Sequence, residues 1–169
     1  MTESVDPRAQ AGGHVPFPDS VAGCVVVGDD GSAESAHAVR WAAATALAHG
    51  YPLVVLRAWS LTSAPRPQTW RPGFVPGEDE FAESVEAALR RDVEATLGVP
   101  TLGAVTCLSV HDTPDAALVA ASHTAELVVV GSHGRHLARA LLGSTADHVV
   151  HHAHCPVAVV PTPGGAGSG

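Results

Sequence analysis

Two short segments carry the residue types that could do chemistry. The first is Gly28-Asp29-Asp30-Gly31-Ser32. The second is Gly131-Ser132-His133-Gly134, followed by Arg135 and, a little further on, by Gly143-Ser144-Thr145. Glycine lets backbone N–H groups approach a phosphate closely. The hydroxyls of Ser144 and Thr145 can donate hydrogen bonds. A helix opening at that point would add the positive potential of its N-terminus, with Arg135 nearby. A carboxylate in the first segment can accept from a ribose hydroxyl or from an adenine amine. The same glycines also serve as plain tight turns, and spacing alone weighs the two readings equally.

Composition removes several other chemistries. All nine basic residues are Arg, so there is no Schiff-base lysine, no phosphate-binding lysine and no lysine general base. A phosphoacceptor receiver domain, which also places adjacent acids after its first strand, needs such a lysine. A serine hydrolase needs Gly-x-Ser-x-Gly, and Gly131-Ser132-His133-Gly134 is one residue short of it. His148, His151 and His152 are spaced to share a helix face beside His154 and Cys155. They could gather zinc or nickel, but imidazoles near a helix C-terminus are explained by its dipole, and no metal is expected. Cys24, Cys107 and Cys155 are too scattered for a disulfide framework and read as buried, reduced thiols. The arginines form no stripe and the net charge is −8, which argues against a nucleic-acid partner. No apolar run approaches about 18 residues, so no membrane partner is expected. With no secretory pattern at the N-terminus, the expected location is cytoplasmic.

The elements that must position these segments are legible as an alternation. Cys24–Gly28, Leu53–Leu56, Val105–Val110, Leu127–Gly131 and Val157–Val160 are short, continuous and rich in Val. That pattern marks strands buried on both faces, as in a parallel sheet. Helices fall between them. The first spans Ala33 to His49, with Ala36, Val39, Ala43 and Leu47 as its inner stripe and Gly50 as its stop. The second spans Glu78 to Leu97, with Phe81, Val85, Leu89 and Val93 inward. A third starts at Thr113-Pro114 and runs to about Ser122, and a fourth lies around Thr145 to Ala153. Residues 61–77 hold four prolines and read as a long surface loop. Residues 1–20 and 163–169 read as flexible tails around one α/β domain at 21–162, a parallel sheet with helices on both faces.

From Cys24 to Pro161 the chain resembles the universal stress protein family. The residues that carry the resemblance are Val25-Val26-Val27-Gly28-Asp29-Asp30-Gly31-Ser32, Val128-Val129-Val130-Gly131-Ser132-His133-Gly134-Arg135, Leu141-Leu142-Gly143-Ser144 and the closing His151-His152-Ala153-His154-Cys155-Pro156-Val157. The resemblance implies a five-stranded parallel sheet in the order 3-2-1-4-5, which brings the two glycine-rich strand ends together. The family's ATP-binding branch carries Gly-x-x-Gly, nine residues, then Gly-Ser or Gly-Thr. Gly131, Gly134, Gly143 and Ser144 match in type, but eight residues separate Gly134 from Gly143. By the same resemblance, Asp30 is the acid near the adenosine and Ala58 the second-strand residue whose backbone meets adenine. Asp112 departs from the family, which usually has Gly before the third helix.

What the resemblance implies is a stress-response protein that binds ATP, with or without Mg2+, or a related adenine nucleotide. The residues implied in binding are Asp30, Ala58, Gly131, Gly134, Arg135, Gly143, Ser144 and Thr145, with no catalytic residue and turnover at most a slow ATPase. It also implies a homodimer through the last strand, where Val157, Val159 and Val160 lie on a sheet edge. The alternative is a nucleotide-free dimeric signalling module of the same fold, which the shortened glycine motif favours.

Overall fold

A computed structural model describes residues 17, 19–98, 104–132 and 142–162. Five strands alternate with four helices: β1 (Val25–Gly28), α1 (Ala33–His49), β2 (Leu53–Trp59), α2 (Glu78–Leu97), β3 (Val105–His111), α3 (Pro114–Ala121), β4 (Leu127–Gly131), α4 (Ser144–His152) and β5 (Val157–Val160). All neighbouring strands pair in parallel, in the order β3-β2-β1-β4-β5. The register sets Val25 against Leu53 on one side and against Leu127 on the other. β1 is therefore the central strand, and Val25, Val26 and Val27 are wholly buried.

Strand periodicity divides the core into two halves. Val26, Val54, Leu56, Val128 and Val130 pack with Leu118 of α3 and Val149 of α4. Val25, Val27, Val55 and Val129 face the other way, onto Val39 of α1 and Leu89 and Val93 of α2. Alternate residues of one strand thus feed opposite layers, as a pleat requires.

The helix ends follow from local chemistry. The Ser32 hydroxyl accepts from the Ser35 N–H at 3.0 Å and caps α1. Gly50 ends α1 in the left-handed region at φ 71°, where a side chain would be strained. Thr113 precedes α3 and Pro114 opens it, as the sequence predicts, but the Thr113 side chain does not cap the helix. Its hydroxyl bonds instead to Asp115, which holds that carboxyl below its ordinary pKa.

Three expectations need correction. The buried face of α1 is Ser35, Ala38, Val39, Ala42 and Ala46, while Leu47 is 85% exposed. β2 runs past Leu56 to Trp59 and β3 runs to His111. Ahead of residue 21, Phe17 packs on the core and Asp19–Val21 forms a single 3-10 turn. The other expected tail residues, 1–16 and 163–169, lie outside the described residues. At β5, which among the described residues pairs with β4 alone, Val160 is buried and Val157 and Val159 are half-buried against the α3 and α4 layer.

Candidate functional site

In a parallel sheet every strand ends on the same side, so the loops after β1, β2, β3 and β4 gather at one rim. The reversal of order falls between β1 and its neighbours, and a crevice opens there. In this chain that crevice is a cleft of about 1020 Å3. Its walls include Asp30 after β1, Ala58 in β2, Gly131 at the end of β4, and Gly143, Ser144 and Thr145 at the start of α4. Six of the eight predicted site residues therefore meet in one cavity. Gly134 and Arg135 lie outside the described residues.

The α4 end of the cleft is built by its backbone. The Gly143 N–H donates to the Ser132 carbonyl at 2.9 Å, and this ties the start of α4 to the end of β4. The Gly143 carbonyl accepts from the Asp147 N–H at 2.8 Å and begins the helical ladder. No side chain caps α4. The N–H groups of its first turn precede the ladder, and a helix leaves such groups to external acceptors. Ser144 and Thr145 stand on that turn and line the cleft.

At the end of β1 the two adjacent acids are separated by the pleat. Asp29 turns toward α1 and α2, and its side chain is 5% exposed. Its Oδ1 accepts from the Ser35 hydroxyl at 2.7 Å, and its Oδ2 accepts from Arg57 Nε at 2.9 Å and from Arg57 Nη2. Arg57 Nη2 also donates to Asp92 of α2 at 2.7 Å. Burial works against the charge on Arg57, but Asp29 and Asp92 outweigh it and leave its pKa raised. Asp30 is exposed at the cleft, and its Oδ1 accepts from the Ser32 N–H at 3.0 Å. The two acids therefore have different work. Asp29 is committed to a structural triad, and Asp30 is an exposed residue of the cleft wall.

Gly28 lies close under α3 on the other side of this rim. A Cβ built there would lie 3.0 Å from Cδ1 of Leu118. An added Cβ would press on the end of the Leu118 side chain, which would have to give by a few tenths of an ångström.

Several wall residues carry no sequence signal of their own. Thr62, Ser63, Ala64 and Pro65, from the loop after β2, close one side. That loop is held to α2 by Glu80, which accepts from the Gly77 N–H at 3.0 Å and from the Thr69 hydroxyl. Asp112 and Thr113, after β3, close the far end. Trp59 stacks on His111 with ring centroids 4.4 Å apart, and His111 Nδ1 meets Glu78 Oε1 at 2.7 Å. The signal for Arg57 was present in principle. One guanidinium inside an otherwise apolar strand must find a counter-charge, and Asp92 stands half-exposed beside the buried Leu89 and Val93 of α2.

Among the described residues, the histidines do not line the cleft. His148 stacks on His152 at 4.1 Å and His123 on His154 at 3.8 Å. Nδ1 of His151 and of His152 each meet the carbonyl four residues earlier. Among the described residues no three His, Cys, Asp or Glu side chains come together as a metal-binding group. Burial raises the thiol pKa of Cys24, Cys107 and Cys155, which makes them poor nucleophiles. Among the described residues no helix is long and apolar enough to cross a membrane.

Comparison with known proteins matches residues 24–161 to the universal stress protein family model. The chain is 41% identical over 142 residues to universal stress protein Rv2005c of Mycobacterium tuberculosis, across 80% of this chain and 47% of that one. It is 36% identical over 101 residues to universal stress protein Slr1101 of Synechocystis, across 57% of this chain and 82% of that one. The chain spans about half the length of the mycobacterial relatives it matches. Among solved structures, a universal stress protein in complex with cAMP superposes with a TM-score of 0.56 at 29% identity, covering 83% of this chain and 97% of that one. A family protein from Burkholderia pseudomallei superposes with a TM-score of 0.54 at 25% identity, covering 86% and 100%.

Proposed function

The chain belongs to the universal stress protein family, and from that premise we propose that it binds ATP or a related adenine nucleotide in the cleft at the strand ends. The observation that carries this reading is the convergence of two unlike surfaces in one cavity. An acid and a small apolar residue, Asp30 and Ala58, stand beside an uncapped helix start at Gly143-Ser144-Thr145. The first pair suits a nucleoside and the second an anion. The relative solved with cAMP, an adenine nucleotide, supports the same class of ligand.

Charge bears on which nucleotide is taken. The described walls of the cleft hold four carboxylates, Asp29, Asp30, Asp92 and Asp112, against the guanidinium of Arg57. A bare triphosphate would be repelled, so ATP enters with a divalent cation such as Mg2+ to offset its charge, and mononucleotides enter more readily. Gly134 and Arg135 are assigned to the phosphates with Gly131, Gly143, Ser144 and Thr145. The protein acts in the cytoplasm by a ligand-dependent change of conformation rather than by turnover.

The test is thermal unfolding with ATP–Mg2+, AMP and cAMP. A ligand at one hundred times its dissociation constant adds about 2.7 kcal/mol to stability. Failure of all three to raise the melting temperature overturns this reading and leaves the nucleotide-free module.

The proposed assembly is a homodimer through β5. This strand bonds to β4 on one side, and its other side is a run of backbone groups without charge or internal proline. An edge of that kind is an aggregation hazard unless covered. Pairing with its own copy across a two-fold axis covers it with an identical surface. Replacing Val159 with Lys places like charges near that axis. Light scattering should then report half the parent mass, and equal masses would rule this interface out.

A further inference from the structure

Asp112 occupies the end of the cleft farthest from α4. The sheet order sets β3 beside β2, β2 beside β1, and β1 beside β4. Across the rim the cleft therefore meets Asp112 after β3, Ala58 in β2, Asp30 after β1, and then Gly131 and the start of α4. Neighbouring strands lie about 4.8 Å apart, so β3 and β1 are about 10 Å apart. That separation is about the length of a nucleoside from a sugar hydroxyl to an exocyclic group on its base. A ligand with its phosphate at α4 and its ribose at Asp30 directs its base across Ala58 toward Asp112.

The backbone holds Asp112 in this place. Its N–H donates to the Trp59 carbonyl at 3.2 Å and to the Val110 carbonyl at 3.0 Å, which fixes it to the ends of β2 and β3. Its Oδ1 accepts from the Thr113 N–H at 2.7 Å. The Trp59 ring beneath is 4% exposed and stacked on His111, so this end has a rigid floor. An ionised carboxylate accepts hydrogen bonds and donates none.

We infer that Asp112 is a specificity residue that reads the exocyclic amine of the base. This inference rests on the nucleotide reading of the cleft. The carboxylate accepts from the amine of adenine, and it repels the carbonyl oxygen that hypoxanthine carries at the same position. The cleft therefore selects an aminopurine over an oxopurine through a side chain rather than by shape alone.

The probes are adenosine and inosine, which differ at this position and carry no phosphate. Calorimetric titration of the parent should give at least about tenfold tighter binding of adenosine, the scale of one hydrogen bond to a charged group. Asp112→Asn keeps an oxygen for the Thr113 N–H and adds an amide N–H that can donate to a carbonyl. It should bring the ratio near one or invert it, and Asp112→Ala should also flatten it. Equal affinity of the parent for the two nucleosides overturns the inference without recourse to a variant. So does a variant with an unaltered ratio, even if its affinity for ATP rises, because a general charge effect would act on phosphates alone. A parent that binds neither nucleoside and no adenine nucleotide removes the nucleotide reading, and this inference with it. Binding of AMP with no preference between nucleosides removes this inference alone.

Discussion

Replacing Asp29 with Ala should destabilise the fold by about 3 kcal/mol, the usual cost of removing one partner from a buried ion pair. The side chains of Asp29 and Arg57 are 5% and 13% exposed, so among the described residues the guanidinium left behind keeps only the half-exposed Asp92 as a counter-charge. For a domain of this size the melting temperature should drop by roughly 10 °C. The double variant Asp29→Ala with Arg57→Leu removes the stranded charge and should regain most of that loss. Calorimetric melting of both variants tests the point. A single variant that melts with the parent, or a double variant no better than the single one, would show that the triad contributes little. Asp30→Ala is the control, because its carboxylate lies at the exposed rim and its loss should leave the melting temperature within a few degrees.

Gly131→Val should weaken nucleotide binding strongly while the sheet survives. Gly131 ends β4 and pairs with Val160, and valine is well suited to a strand. Gly131 is part of the cleft wall, so methyl groups added there should crowd a close-fitting ligand. Overfilling a fitted contact costs about 1–3 kcal/mol, or roughly 5- to 150-fold in affinity. Titration with AMP should show that loss at an unchanged melting temperature of the free protein. An unchanged affinity would mean that the phosphate is held elsewhere on the rim.

The layers were legible wherever one physical signal dominated. In α2 the polar residues leave a single apolar stripe, so Phe81, Val85, Leu89 and Val93 could be assigned inward and are buried. In α1 the helix bounds were clear but the face was not. Alanine occurs on nearly every side of Ala33–His49, and the buried set follows the small residues that let the helix approach β1. The strand ends were obscured by their polar residues. Arg57 looked like the end of β2 because a lone sequence does not reveal Asp29 and Asp92 closing on it. In the cleft, the glycine and hydroxyl residues announced themselves by type. The wall after β2 and the far end after β3 did not, because Thr62, Pro65 and Asp112 acquire their place from the sheet order rather than from any local pattern.

The same sheet order fixes when the cleft comes into being. Pairing β1 with β2 sets Val25 against Leu53 and closes a loop of about 30 residues, at an entropic cost of roughly 3 kcal/mol. Pairing β1 with β4 sets Val25 against Leu127 and closes about 100 residues, at roughly 4 kcal/mol. The β1–β2–β3 half is therefore the easier part to assemble from a disordered chain. The rim needs both halves, because Asp30 and Ala58 come from one and Gly131 and Gly143 from the other. Recognition is thus deferred until the longest closure is complete. A ligand held across that seam acts as a clasp on the finished fold, slowing its opening, and has nothing to grip while the chain is still collapsing.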